Sequence, residues 1–475
     1  MIANPVHPPD ENPMTDPAAS DVDLLTSLST LRWNRFHTVL ILLFGLGWAL
    51  DAFEVTLIGT VLGTLRQHFH LGSTAMSWLL AAWFIGLMLG ASGFGMLADQ
   101  FGRRRIFLAS LVLYGTATLA TAFAPTIGSL LVLRLIAGIG VGAEYAAINA
   151  AITELVPSRS RGRATALVLN FWPIGSFIAA LLAWLALSSL PADIGWRVVF
   201  ALGGIIALSA AWFRRHLPES PRWLLEVGQR AEAQSIIRAI ETGLTRIQPP
   251  SLSPITQRVR RQASSFLILL RQYPSRLALG CALDFAEASG YYGLFAFLPI
   301  VVLPALHLPP ARLPLFYLAG SIGALIGGLA AAALLDRLGR ARTVGLFYLA
   351  TALALIGFAA STQFGAGAIM LGFAGVNMLA TASWIAAYPT FSELFPTSLR
   401  ATGIGSSVAI GRIGAAITPF LVGYVGARSM PAALLMLAGF WLFGALAMLI
   451  WRSFGGIEAS GKPLEQLSAE PLAHG

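Results

Sequence analysis

Long apolar runs separated by short polar connections recur along almost the whole chain. The runs at 39–50, 111–122, 322–335 and 434–451 lie inside apolar stretches of roughly 18 to 25 residues, enough for an α-helix to cross a bilayer. No ten-residue alternating strands occur. In hydrocarbon only helices and closed barrels satisfy their own backbone, so the pattern predicts helices. Twelve are expected, near 36–62, 76–98, 106–123, 126–154, 164–188, 196–214, 276–306, 312–335, 343–361, 365–392, 402–427 and 430–452. The fold class implied is an all-α polytopic membrane protein.

Composition sharpens this reading. Of 475 residues, 56% are hydrophobic and only 11% charged, well below the roughly 25% usual in soluble domains; mean hydropathy is +0.73. The net charge of +9 is distributed by topology, which argues against a nucleic-acid partner. Arginines crowd alternate connections: Arg32 and Arg35, Arg103 to Arg105, Arg159 to Arg163, the stretch 214–276, Arg337 to Arg342, Arg400 and Arg452. Arg66, Arg312 and Arg428 are sparse on the other side, so the positive-inside rule places both termini in the cytoplasm. The first 31 residues contain no Lys or Arg and read as a flexible tail, not a cleaved leader. Cys281 is the single cysteine, so an internal disulfide is excluded.

The chain also repeats itself. GMLADQFGRRR (95–105) is echoed by AALLDRLGRAR, so that Asp99 recurs as Asp336. TELVPSRSR (153–161) is echoed by SELFPTSLR, so that Glu154 recurs as Glu393. Two features at nearly one offset imply duplication of a six-helix unit, giving two pseudo-symmetric six-helix bundles. The expected organisation is an N-terminal tail (1–35), a first bundle (36–214), a cytoplasmic linker (215–275) with an amphipathic helix near 222–240, a second bundle (276–452) and a C-terminal tail (453–475).

These residues carry a resemblance. Gly95, Leu97, Asp99, Gly102, Arg103 and Arg104 resemble the signature loop between the second and third helices of the major facilitator superfamily. Pro218-Glu219-Ser220-Pro221-Arg222-Trp223-Leu224 is similar to the sugar-porter and related metabolite:proton symporter branches, and 134–161 resembles their second signature, with Ala151 where a bulkier residue is usual. The resemblance implies that Asp99 with Arg103 and Arg104, and Glu154 with Arg161, steady the outward-facing state. It extends this role to the repeats Asp336, Gly339, Arg340, Glu393 and Arg400, although Ala332 stands where the first copy has Gly95. Read without the family, Gly95 and Gly102 permit a tight reversal and the arginines sit at the headgroup layer; ordinary topogenic charge is the plainer alternative.

Charge at membrane depth points to chemistry, because each charged residue at a helix centre costs roughly 2.5 to 3.5 kcal/mol on insertion. Asp51, Glu54, Arg134, Glu144, Asp284, Glu287 and Arg412 stand in predicted helices. Buried carboxylates can load and release a proton, and a guanidinium fork grips a carboxylate ligand. Asp51 and Glu54 are therefore the expected proton carriers and Arg412 the expected clamp for a small organic acid anion. Arg134 holds either substrate or an acid such as Glu144. AIGRIG (409–414) resembles the corresponding segment of aromatic-acid symporters and organic-anion carriers, whose cation-carrying relatives place an acid there. Against an anion, the deep acids outnumber the deep arginines. Asn170, Trp172, Tyr291, Tyr292, Asn377, Trp384 and Tyr388 are candidates to line a pocket for a ring-bearing acid, each with interhelical packing as the plainer role.

The function expected is secondary active transport: proton-coupled uptake by alternating access, by a monomer in a plasma or bacterial inner membrane, with substrate, proton and lipid as partners. No cofactor or metal is expected. The histidines are scattered and no HExxH or GxSxG pattern occurs, which argues against an enzyme. A proton-driven exporter of drugs or organic cations is the nearest rival, and a nontransporting nutrient sensor the next. One echo stands out of register: ALDAFE (49–54) returns as ALDFAE (282–287), with Asp284 one helical turn short of the position that the signature-loop offset assigns to Asp51. At that offset Tyr291 is the counterpart of Glu54, and the second acid pair sits about 6 Å nearer the cytoplasm. ALDAFE is thus expected to be the coupling site, and ALDFAE a lower gate or exit relay.

Overall fold

The computed structural model describes residues 32–157, 160–214, 218–244, 265–395 and 399–454. Every regular element among them is helical. The first half holds α1 (Arg35–His68), α2 (Ser73–Phe101), α3 (Arg103–Thr121), α4 (Ile127–Leu155), α5 (Arg161–Leu169) leading into α6 (Trp172–Ser189), and α7 (Ala192–Arg214). The linker contributes α8 (Pro221–Glu226), α9 (Arg230–Glu241) and α10 (Ser265–Gln272). The second half holds α11 (Pro274–Phe297), which runs through a π turn (Leu298–Val302) into α12 (Leu303–Ala305), then α13 (Leu313–Leu338), α14 (Arg340–Ser361), α15 (Ala366–Leu394), α16 (Arg400–Gly426) and α17 (Met430–Ser453). Counting α5 with α6 and α11 with α12, each half supplies six spans, as the apolar pattern predicts. Among the described residues ten helices are long and apolar enough to cross a membrane, with 127–142 a shorter apolar piece. The arginine-led first turn of α3 lowers its mean hydropathy.

Local chemistry sets the helix ends. Asn34 caps α1 in a reciprocal box with His37, and Thr126 caps α4 with Ser129 in the same way. Prolines set the breaks. Pro173 removes an N–H just past the α5–α6 junction at Asn170 and Phe171. Pro299 would leave the Phe295 carbonyl without its helical partner; the Tyr317 hydroxyl donates to it instead, at 2.8 Å. The linker departs from expectation. The sequence predicts one amphipathic helix near 222–240, but the chain breaks at Gly228 (φ 82°) into α8 and α9.

Helix packing repeats the duplication atom by atom. Backbone carbonyls of α4 approach α2 so closely that a Cβ on Gly86 would strike Leu135 O and one on Gly90 would strike Ile139 O. In the second half Gly323 and Gly327 of α13 face Ala374 O and Met378 O of α15. The two glycine pairs are related by the offset that takes Asp99 to Asp336, and the carbonyls by the one that takes Glu154 to Glu393. Small residues drive association where apolar burial cannot, because lipid is as apolar as the helix. Gly90→Leu is therefore expected to pry α2 from α4, costing about 1–3 kcal/mol or more; a drop in the monodisperse fraction on size exclusion and in thermal midpoint measures it. The halves meet through α2 against α16 and α6 against α13, two pairs that a pseudo-two-fold axis exchanges.

Candidate functional site

Asp51 lies at the midpoint of α1, with Glu54 one turn on, and both are buried. Glu54 turns into the first bundle. Its Oε2 pairs with Arg134 Nη1 of α4 at 2.9 Å, and the Thr118 hydroxyl of α3 donates to its Oε1. Arg134 Nη2 also reaches the Thr121 hydroxyl at 3.2 Å, while its guanidinium lies 4.8 Å from the Phe200 ring of α7. Arg134 is 0% exposed, so four helices enclose one ion pair. Arg134 thus holds Glu54; the side chain of Glu144 lies outside the described residues. Sequence spacing suggests that Asp51 and Glu54 act together, yet three residues separate side chains by about 60° of helix rotation. That is enough to turn them apart: Glu54 faces Arg134, and Asp51, also buried, lies near enough to Tyr292 of α11 for a minor electrostatic effect on it.

The second half gathers its charges around Arg412, in the middle of α16. The guanidinium is buried, stands 5.5 Å from the Tyr292 ring and donates to the Tyr388 hydroxyl. Asp284 and Glu287 of α11 both act on it electrostatically. Asp284 is packed against Gly411, where any Cβ would collide with its carboxylate. ALDFAE, expected as a lower gate or exit relay, therefore lies beside the clamp residue.

Between these two charge groups lies a layer of aromatic rings drawn from both halves. Trp172 Nε1 donates to the Tyr291 hydroxyl at 3.0 Å, a polar link from α6 to α11. Trp172 also meets Trp48 and Trp384 at centroid distances of 6.4 and 5.9 Å, and Trp384 meets Tyr388 at 5.8 Å. Tyr292 is stacked edge-on by Phe84 at 4.4 Å and by Tyr291 at 5.3 Å. Beside the layer a narrow cleft is lined by Thr56, Ser176, Tyr291, Tyr317, Ser321 and Asn377, among others. Of the pocket candidates, Trp172, Tyr291, Tyr292, Trp384, Tyr388 and Asn377 come together here. Asn170 does not: its side chain packs over Gly328 of α13 and donates to Ala166 O at 2.8 Å.

The signature loop is partly described. The side chains of Asp99, Arg103, Glu154, Arg161, Asp336, Glu393 and Arg400, and the surroundings of Gly95, lie outside the described residues. Gly102 and Gly339 adopt the same positive-φ conformation, φ 92° and 82°. Glu219 of the linker enters the sequence reading only as part of a motif. It caps α3 from outside, accepting from Arg104 N at 3.2 Å and Ser220 N at 3.1 Å, and sits where a Gly102 Cβ would go. Gly102→Ala is expected to cost about 1–3 kcal/mol through backbone strain alone and to displace Glu219, seen as a lower melting temperature and a slower transport rate. Arg340 donates to Leu335 O at 3.4 Å.

A family model described as Major Facilitator Superfamily matches residues 40–419. The chain belongs to the major facilitator superfamily. It is 30% identical over 404 residues to the niacin transporter NiaP of Acinetobacter baylyi, covering 84% of this chain and 90% of that one. It is 29% identical over 402 residues to the 3-(3-hydroxy-phenyl)propionate transporter of Escherichia coli, covering 83% and 90%. Its fold matches that of the proton:xylose symporter XylE with a TM-score of 0.72 at 20% identity, covering 91% of this chain and 98% of that one. As a member of this superfamily the chain is an integral membrane transporter and not an enzyme.

Sequence reasoning missed Thr118, Thr121 and Phe200 around Arg134, and Tyr317 beneath Pro299. The threonines recur at helical spacing in YGTATLAT (114–121), a polar stripe that marks the face of α3 turned to the ion pair.

Proposed function

We propose that this transporter carries a small aromatic carboxylate into the cell together with a proton. The observation that carries the reading is Arg412 set at the edge of an aromatic layer built from both halves. A planar acid would lay its carboxylate on the guanidinium fork and its ring among Trp172, Trp384, Tyr388 and Tyr292. The names of the relatives, for niacin and for a phenylpropionate, fit the same chemistry. Proton loading falls to Asp51 and to Glu54, whose protonation would release Arg134 and loosen α1 from α3 and α4. The helix pairs α2–α16 and α6–α13 supply the surfaces over which the halves rock, and the arginine distribution puts both termini and the linker in the cytoplasm.

A second reading, export of organic cations, is favoured by the buried carboxylates Asp51, Glu54, Asp284 and Glu287, which outnumber Arg134 and Arg412 at this depth among the described residues. Proteoliposomes separate the two. Labelled nicotinate and benzoate should accumulate when the interior is made alkaline, and should not without the gradient. Accumulation of a lipophilic cation and of neither acid would overturn the proposal in favour of export.

A further inference from the structure

Asp284 is the least supported of these buried carboxylates. It is 0% exposed, it stands at membrane depth, and neither of its oxygens has a hydrogen-bond partner among the described residues. An ionised carboxylate left in that condition is costly, so its setting calls for either a proton or a cation. The cation is adjacent: Asp284 packs on the Gly411 backbone, and Arg412 is the next residue. Yet Asp284 stops short of a hydrogen bond to it. Arg412 is engaged by Tyr388 and faces the ring of Tyr292. The missing side chain at Gly411 is what brings the carboxylate this close, since even a methyl group there would exclude it.

We infer that Asp284 is the resident counter-ion of Arg412, and that a proton on Asp284 frees the guanidinium for the carboxylate of the substrate. The inference rests on the aromatic-acid reading above and adds a further proton-binding group, in the opposite half from Asp51 and Glu54. Substrate and ionised Asp284 compete for one fork. With Asp284 charged, Arg412 is occupied and the acid binds weakly; with Asp284 protonated, Arg412 is open and a monoanion enters with its charge matched by one proton.

The other groups around Asp284 are few. Cys281, Glu287, Tyr291 and Tyr292 lie on its own helix, Arg412 on α16, Tyr388 on α15, and Tyr348 on α14, whose hydroxyl donates to Leu283 O at 3.1 Å. Asp51 of α1 reaches the same group through Tyr292. α17 packs on the same helix through Trp441, which meets Gly290 and the Tyr348 ring and does not titrate. Glu287 is the only other carboxylate on α11 and so the necessary control.

The test is equilibrium binding of nicotinate to the purified full-length transporter, followed by tryptophan fluorescence or calorimetry between about pH 5.5 and pH 8.5, a range in which ordinary carboxylic ligands stay ionised. The native protein should lose affinity by about tenfold or more toward alkaline pH, as the competent fraction falls. Asp284→Asn, which cannot charge, should flatten the profile to within about threefold by holding affinity near the acid value. Asp284→Glu should restore the slope, which a merely structural role would not require. The assignment is overturned if Asp284→Asn keeps the native slope, if Asp284→Glu stays flat, or if Glu287→Gln flattens the profile and Asp284→Asn does not. A different result strikes the underlying reading: no binding of nicotinate or benzoate by the native protein at any pH, or unchanged binding in Arg412→Ala, overturns the aromatic-acid function and this inference with it.

Discussion

Arg134→Met is expected to stop transport and to destabilise the first bundle by about 3–5 kcal/mol, the usual consequence of stranding one member of a buried ion pair. Glu54 would be left in a closed space where, among the described residues, the Thr118 hydroxyl alone donates to it, while the Phe200 ring loses the cation above it. The double variant Glu54→Gln/Arg134→Met removes both charges. It should recover most of the thermal stability, because an apolar replacement of similar volume is often neutral. It should not recover proton-driven uptake, because no group remains to load the proton there. Melting curves in detergent and uptake under an imposed pH gradient read the two effects apart. A single variant with native melting temperature and native uptake would show that the pair is dispensable.

Arg412→Ala is the second large effect. Each charge-assisted hydrogen bond to a carboxylate contributes roughly 1.5–3 kcal/mol, so loss of a two-pronged contact should weaken binding of an aromatic acid by about a hundredfold or more. Arg412→Lys should rescue little. An ammonium cannot match the planar fork, and it gives up much of the stacking on the Tyr292 ring. Counterflow of labelled nicotinate, which needs binding and reorientation but no gradient, measures this directly. Undiminished counterflow in Arg412→Ala would remove the clamp from the proposal.

Much of the scaffold was legible before any coordinates, because the bilayer leaves little choice. Apolar length marks the spans, and the echoes of Asp99 at Asp336 and of Glu154 at Glu393 reveal the duplication that Gly86, Gly90, Gly323 and Gly327 then repeat in their contacts. What was not legible is facing. Asp51 and Glu54 read as one site because they are a turn apart, yet a rotation of about 60° separates them and it is Glu54 that joins the Arg134 ion pair. Glu54 finds Arg134 at a separation of 80 residues, and no local pattern links them. The placement of Asp284 beside Arg412 was hidden for a related reason: depth can be counted along α11, but the gap it fills exists because residue 411 has no side chain. Pro299 falls inside the span expected at 276–306, but how the helix carries it was not legible: the Tyr317 hydroxyl, from the next helix, donates to the Phe295 carbonyl.

The duplicated frame has a further consequence for energetics. Its two-fold runs along the membrane normal, so exchanging the halves leaves each form open to the same side, and two halves identical in sequence would carry buried charge at equal cost. Here the frame is nearly symmetric while its occupants are not: Glu54 and Arg134 form a closed pair in one half, whereas in the other Asp284 lies near Arg412 with no hydrogen bond of its own. The desolvation cost of buried charge is thus spread unequally, met inside the ion pair in the first half and left open beside the guanidinium in the second.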